Sequence, residues 1–463
     1  MKTTVLVPEL LVAGAAVGLF VAHRLGVVAG RWLASGALVA TLVALGLELW
    51  LGGQIGTLFG GGWQQDRFSV FAKAAMLVGL AALIATGDWD TESLHEVLPL
   101  GFLAAFGGMV VASATNLVAL WAGVELAGLS GVAVAGILAT SAGLRLLRVS
   151  VLASALITIG FAYLYAVTGA STLSGLRQTL VSEQLTLPLA LISLLTLSGL
   201  AVRFGLTPFA APTLERGISL TPVGSGVLHG LVAGAAALAL AKLLSALYGT
   251  SPAWSLWLGG LATLAMVVGG LRATAVTAPR TLIAWLTVQQ VGWVAAGLAT
   301  HDRRGAAAAL FLLVPLVLAA TAGPLLSGAA DSEPAGVAGL GRREPARAVG
   351  LGLVLLSLAG VPPLAGFFGE FTVAVELLRA GLGWVLACGL LGWLLGAAGV
   401  VRALWLMYLE PGPEEIRGQR GSRRPAVWAP GPLVPAVLVL AYGFFANPIH
   451  DLAVQGAAAL GLR

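Results

Sequence analysis

From residue 4 to residue 446 the chain is a near-continuous succession of apolar runs, each close to the ~20 residues a helix needs to cross hydrocarbon. About fourteen can be marked: 4–22, 33–52, 69–87, 97–115, 117–139, 148–169, 186–205, 220–246, 253–272, 280–299, 304–327, 347–379, 382–408 and 427–446. Only 10% of the 463 residues are charged, against roughly 25% in soluble domains. Backbone in lipid must satisfy its own hydrogen bonds, so the pattern predicts an all-α polytopic membrane protein of about fourteen transmembrane helices. The 63 glycines suit helices whose backbones approach closely. The first run is too long, and leads too directly into others, to read as a cleavable signal peptide.

Two of these runs are interrupted. After the apolar stretch 187–202 the chain reads Arg203-Phe-Gly-Leu-Thr-Pro208, and proline removes a backbone donor and clashes with the preceding turn. The other break is Ser357-Leu-Ala-Gly-Val-Pro362-Pro363-Leu-Ala-Gly-Phe-Phe-Gly-Glu370. A broken helix at membrane depth is tolerated only against protein or a wet cavity. Two interrupted segments, each with an ionisable residue, are the pattern of an ion pathway between inverted repeats.

The spacing agrees with that pattern. One five-helix unit spans 97–246 and a second 253–409; Pro208 falls 111 residues into the first and Pro362 109 into the second. An odd helix number forces the two copies to face opposite ways. Residues 1–96 form a preceding three-helix segment, and 410–463 a basic loop with the last span. Fourteen basic residues fall at the span ends that are inside if both termini are outside, and seven at the opposite ends; the excess predicts that orientation. The formal charge of +5 is thus a topology signal rather than a nucleic-acid footprint.

Four motifs resemble one family in order and over nearly the whole chain. The run from Gly107 through Asn116 and Glu125 to Ser130 looks like the fourth and fifth helices of the antiporter-like subunits of respiratory complex I. Arg203 to Pro208, with Leu214-Glu-Arg-Gly and Thr221-Pro-Val after it, resembles the seventh-helix lysine motif and its loop. Pro279 to Trp293 is similar to the tenth-helix motif, and Ser357 to Phe371 to the broken twelfth helix. The short chain, without a long lateral C-terminal helix, is most similar to the N-type subunit of NADH:quinone oxidoreductase; Mrp antiporter and membrane hydrogenase subunits are relatives.

The resemblance implies a proton-translocating subunit of a bacterial inner-membrane translocase. Its partners would be the other membrane-arm subunits and lipid, and its cargo protons. No cofactor would sit in this chain, with NADH, flavin, Fe–S clusters and quinone in partner subunits. In such subunits a fifth-helix Glu pairs with a seventh-helix Lys, and a polar axis runs on to the twelfth helix. Glu125 takes the first place, Arg203 the second and Glu370 the last. His229 and Lys242 flank the place of an eighth-helix lysine, and Gln290 stands where the tenth helix has histidine. A buried carboxylate's proton affinity is set by the position of a nearby cation. Arginine, unlike lysine, keeps its proton, and glutamine does not titrate. The implied path is therefore either rerouted through His229 or no longer conducting, which would leave an architectural spacer.

The remaining polar residues read more plainly. Glu9 and Glu48 lie close to span ends and are expected at the interface or at subunit contacts, while Lys73 is expected to snorkel. Arg402, late in its span, is expected to pair with Glu376, and Arg417 to Arg424 act as topology determinants. Segment 172–183 is too short to span and is expected in the interface. A lone Cys388 excludes disulfides and thiolate clusters. Neither a phosphate-binding Gly-rich loop nor metal-ligand histidine spacing is present.

Overall fold

The structure, a computed structural model, describes residues 3–26, 30–87, 89, 92–138, 140–182, 187–207, 221–247, 253–328, 337–412 and 431–462. Its helices in chain order are α1 Val7–Arg24, α2 Gly30–Leu51, α3 Arg67–Thr86, α4 Glu92–Ser113, α5 Leu117–Leu138 and α6 Thr140–Thr168. They continue with α7 Leu173–Ser182, α8 Leu187–Phe204, α9 Pro222–Leu247, α10 Ala253–Ala275, α11 Pro279–Ala299 and α12 Arg303–Ser327. The last are α13 Pro345–Leu358, α14 Ala365–Arg379, α15 Gly383–Tyr408, α16 Leu433–Phe444 and α17 Ala446–Ala459. Between α2 and α3 a small hairpin pairs β1 Gly56–Leu58 with β2 Trp63–Gln65.

Local chemistry sets these boundaries. Asp66 and Ser69 form a reciprocal capping box at the start of α3. Asp302 caps α12 by accepting from the Gly305 N–H at 2.6 Å. Proline stands at the first turn of α9, α11 and α13, where a missing N–H costs nothing. α9 departs from regular α geometry over one wide π turn, Val227–Val232, which includes His229.

Eleven helices among the described residues are long and apolar enough to cross a membrane on their own, or up to twelve if α16 and α17 count as one bent span. The expected count of about fourteen is therefore not reached by length and apolarity alone. The difference lies in α8, in the pair α13/α14 and in short α16. The last helix also differs from expectation: the chain does not end its helical course near 446, but turns by 81° at Phe445 into α17. The ten-residue α7 is, as expected, too short to span.

Burial separates an inner from an outer set. α11 is buried along 100% of its apolar window and α12 along 94%, whereas α1, α2 and α6 reach only 28%. The outer helices present large apolar side chains outward, among them Trp32, Trp50, Leu152 and Val401, as lipid-facing helices do. Central positions lean on small residues. A Cβ on Gly107 of α4 would lie 2.7 Å from the Gly123 carbonyl oxygen and the Ala127 nitrogen of α5. Gly107→Val should therefore wedge α4 from α5 at a cost of about 1–3 kcal/mol, read as a lowered Tm of the purified chain; an unchanged Tm would show that this contact does not set the helix spacing.

Candidate buried polar site

Glu125 is the ninth residue of α5 and its side chain is 12% exposed; Arg203 is in the last turn of α8 with its side chain 5% exposed. They meet at 2.9 Å between an Arg203 guanidinium nitrogen and Glu125 Oε2. Ser154 of α6 closes the triangle. Its hydroxyl donates to the same carboxylate oxygen at 2.7 Å and accepts from Arg203 at 2.7 Å. Three helices are thus joined by one charge-assisted network. Gly128, one turn after Glu125, leaves room for the guanidinium, since a Cβ there would overlap it. A cation in the last turn also complements the α8 dipole.

Beside Arg203 lies a cavity of about 60 Å³, space for roughly two waters at ~30 Å³ each. Arg203, His229 and Thr287 line it with Gly128, Leu228 and Val291. Arg203 Nε, His229 Nε2 and Thr287 Oγ1 are buried and make no hydrogen bond. Orphaned polar atoms around a space of that size are what bridging water satisfies.

Thr287 and Gln290 stand three residues apart on α11 and so share a face. Gln290 Nε2 donates to Glu370 Oε1 and, at 2.8 Å, to the Leu358 carbonyl. Glu370, 5% exposed, is the sixth residue of α14, beyond the first turn, so the pull of a helix N-terminus does not account for it. The break between α13 and α14 spans 359–364 and contains Pro362 and Pro363 as expected. Its freed carbonyls have partners: Leu358 takes Gln290, and Ala359 takes the Trp393 indole N–H at 2.8 Å. This is the condition under which broken backbone is tolerated at depth.

Of the expected residues, Glu125 and Arg203 touch, Gln290 and Glu370 touch, and His229 shares the cavity beside Arg203. α8 ends at Phe204 and turns through Gly205; Pro208, and Leu214 to Gly217, lie outside the described residues. Lys242 is not brought to this line. It stands thirteen residues beyond His229 on α9, about 20 Å along the axis, donates to the Ala114 carbonyl at 2.9 Å and borders an open vestibule of about 780 Å³. Three further expectations fail. Lys73 does not snorkel but is 0% exposed, and Glu9 and Glu48 are buried beside it rather than interfacial. Arg402 donates to the Val276 carbonyl instead of meeting Glu376, which pairs with Arg379 at 2.6 Å. Ser154 and Thr287 were not distinguishable in the sequence, since an isolated hydroxyl in an apolar run usually bonds back to its own helix.

Comparison with known proteins follows the same outline. The profile of the NADH:quinone oxidoreductase/Mrp antiporter transmembrane family matches residues 114–396. NADH-quinone oxidoreductase subunit N of Rhodobacter capsulatus is 30% identical over 444 residues, covering 91% of this chain and 90% of that protein. A chain of respiratory complex I from Thermus thermophilus superposes with a TM-score of 0.79 at 25% identity, over 96% of this chain and 99% of that one. A chain of the Mrp complex from Dietzia sp. DQ12-45-1b shares the fold, with a TM-score of 0.81 at 20% identity over 99% and 98%.

Removing one member of a buried ion pair strands the other, at about 3–5 kcal/mol. Arg203→Leu should accordingly lower stability by that order in denaturant titration of the purified chain, and Glu125→Gln/Arg203→Leu should recover most of the loss. A double variant no better than the single would disprove direct coupling of the two charges.

Proposed function

Because the chain belongs to the NADH:quinone oxidoreductase/Mrp antiporter transmembrane family, we propose that it is the N-type antiporter-like membrane subunit of a proton-translocating NADH:quinone oxidoreductase. In this reading it sits among other membrane-arm subunits in a bacterial inner membrane, with both termini outside. NADH, flavin, iron–sulfur clusters and quinone belong to partner subunits, and this chain performs no redox step. Its two broken spans belong to two oppositely oriented five-helix units, 97–246 and 253–409.

Three observations support proton movement: Glu125 meets Arg203, one cavity is lined by Arg203, His229 and Thr287, and Gln290, three residues beyond Thr287 on α11, donates to Glu370. Glu125 and Glu370 are the proton-holding groups at the ends of the path. Arg203 keeps its charge and acts by position. Seated at 2.9 Å, it holds Glu125 as a carboxylate; drawn toward the cavity, it leaves Glu125 to take up a proton. Arg203 can make that move because α8 ends one residue later, so its backbone is not fixed by a following helical turn. His229 and cavity water relay the proton, and Gln290 positions Glu370 by donating to it. Lys242 serves as the fixed charge at the vestibule end of α9.

Glu125→Gln removes the proton-holding group while keeping the hydrogen-bonding shape. In the assembled complex reconstituted into liposomes, it should lower protons moved per NADH oxidised while NADH oxidation by uncoupled vesicles persists. Arg203→Lys, which keeps the cation, should retain most pumping. An unchanged proton ratio in Glu125→Gln would refute the pathway and leave the architectural-spacer reading. Copurification with small antiporter subunits instead of redox subunits would favour an Mrp-type assembly, whose fold this chain shares.

A further inference from the structure

A second buried charge cluster lies in the three N-terminal helices, outside residues 114–396. Lys73 of α3 is ion-paired with Glu9 of α1 and lies 3.7 Å from Glu48 Oε1 of α2. Its ammonium donates to Gln65 Oε1 at 2.6 Å, and Gln65 Nε2 donates to Glu48 Oε1 at 2.8 Å. The Trp63 ring covers the ammonium at 4.5 Å. Both residues come from β2, so the hairpin closes the cluster from one end. Glu48 and Lys73 are 0% exposed and Glu9 5%.

Charge counting makes this cluster unusual. Two carboxylates face one ammonium, so the fully ionised cluster is a net −1. Among the described residues, charged neighbours do not correct the imbalance. Asp66 at the start of α3 and Lys242 in α9 are of opposite sign and cancel. Arg67, Arg303, Arg304 and Asp451, on α3, α12 and α17, are exposed. The stretch of α4 after Glu96 carries no charged residue. Glu96 itself pairs with His23, fourteen residues from Glu9 and so about 21 Å along α1. Glu9 Oε2 and Glu48 Oε2 meanwhile make no hydrogen bond. An isolated ionised carboxylate is costly in such surroundings, and two that share a site bind a proton between them.

We propose that Glu9, Glu48 and Lys73 form a proton-binding site separate from the Glu125–Glu370 line, in which two glutamates share one lysine and one proton. The ligand is a proton rather than a metal ion, because the ammonium already fills the space between the carboxylates. Gln65, fully buried, is the wall between the site and the vestibule. Strand alternation turns Gln64, and Asp66 beyond it, to line the 780 Å³ vestibule, while Gln65 between them bonds Lys73 and Glu48. The cluster therefore stands one residue behind the water-accessible face that Lys242 also borders.

Infrared spectra of the purified full chain at neutral pH, in H2O and D2O, test this without any pumping assay. In a Glu370→Gln background, which removes the other buried carboxyl without a cation beside it, one protonated-carboxyl C=O band, shifted down in D2O, is expected to vanish in Glu9→Gln and equally in Glu48→Gln, because the remaining glutamate then pairs with Lys73 as a carboxylate. Lys73→Met, which leaves both glutamates, is expected to gain a second such band. Persistence of the band in either glutamine variant, or no gain in Lys73→Met, overturns the shared proton. Glu125→Gln should leave this band in place, so failure here and failure of the pumping pathway are separable.

Discussion

A charged group inside hydrocarbon has to be met by another group, and in this protein that requirement decides which helices become neighbours. Arg203 stands in the last turn of α8 with its side chain 5% exposed, and Glu125 sits mid-way along α5. Their contact, with Ser154 as the third vertex, holds α5, α6 and α8 at one depth. Apolar packing alone would leave those helices free to slide, because lipid tails solvate leucine as well as a neighbouring helix does. The same logic recurs at the second break, where Gln290 satisfies at once a carbonyl freed by the interrupted helix and the carboxyl of Glu370.

Arginine and glutamine at these two places change the division of labour rather than the plan. A residue that never surrenders its proton cannot hand one on, so in the proposed pathway proton storage falls to the glutamates and transfer to water and His229. The cavity beside Arg203 is lined by three orphaned polar atoms from three helices. Its polarity is therefore distributed over α8, α9 and α11 and depends on their mutual placement.

The helices and the interruption at 359–364 were legible in the sequence because hydrophobic length and proline act locally. Glu125, Arg203 and Glu370 were legible for a related reason: an ionisable residue deep in an apolar run is conspicuous without its partner. What the sequence hid was distance. Nothing near residues 9, 48 or 73 tells that a hairpin at 56–65 folds over them, so charges near span ends read as surface groups. Lys242 and His229 occupy one apolar run and looked equivalent, yet the rise of the helix carries them to different water-accessible spaces. The bend at Phe445 escaped for the opposite reason: the segment after it is amphipathic rather than apolar, so the apolar run simply stops at the turn that Gly443 and Pro448 flank.

The wide turn at Val227–Val232 has a consequence for that last pair. A π turn holds one residue more than an α turn, which advances the azimuth of everything beyond it by about 100°. His229 lies within that turn and Lys242 after it, so their phases around the helix axis are set independently. Deleting a single residue there would keep one of them in place only by swinging the other out of its slot. The surplus residue is what allows one rod to serve two compartments.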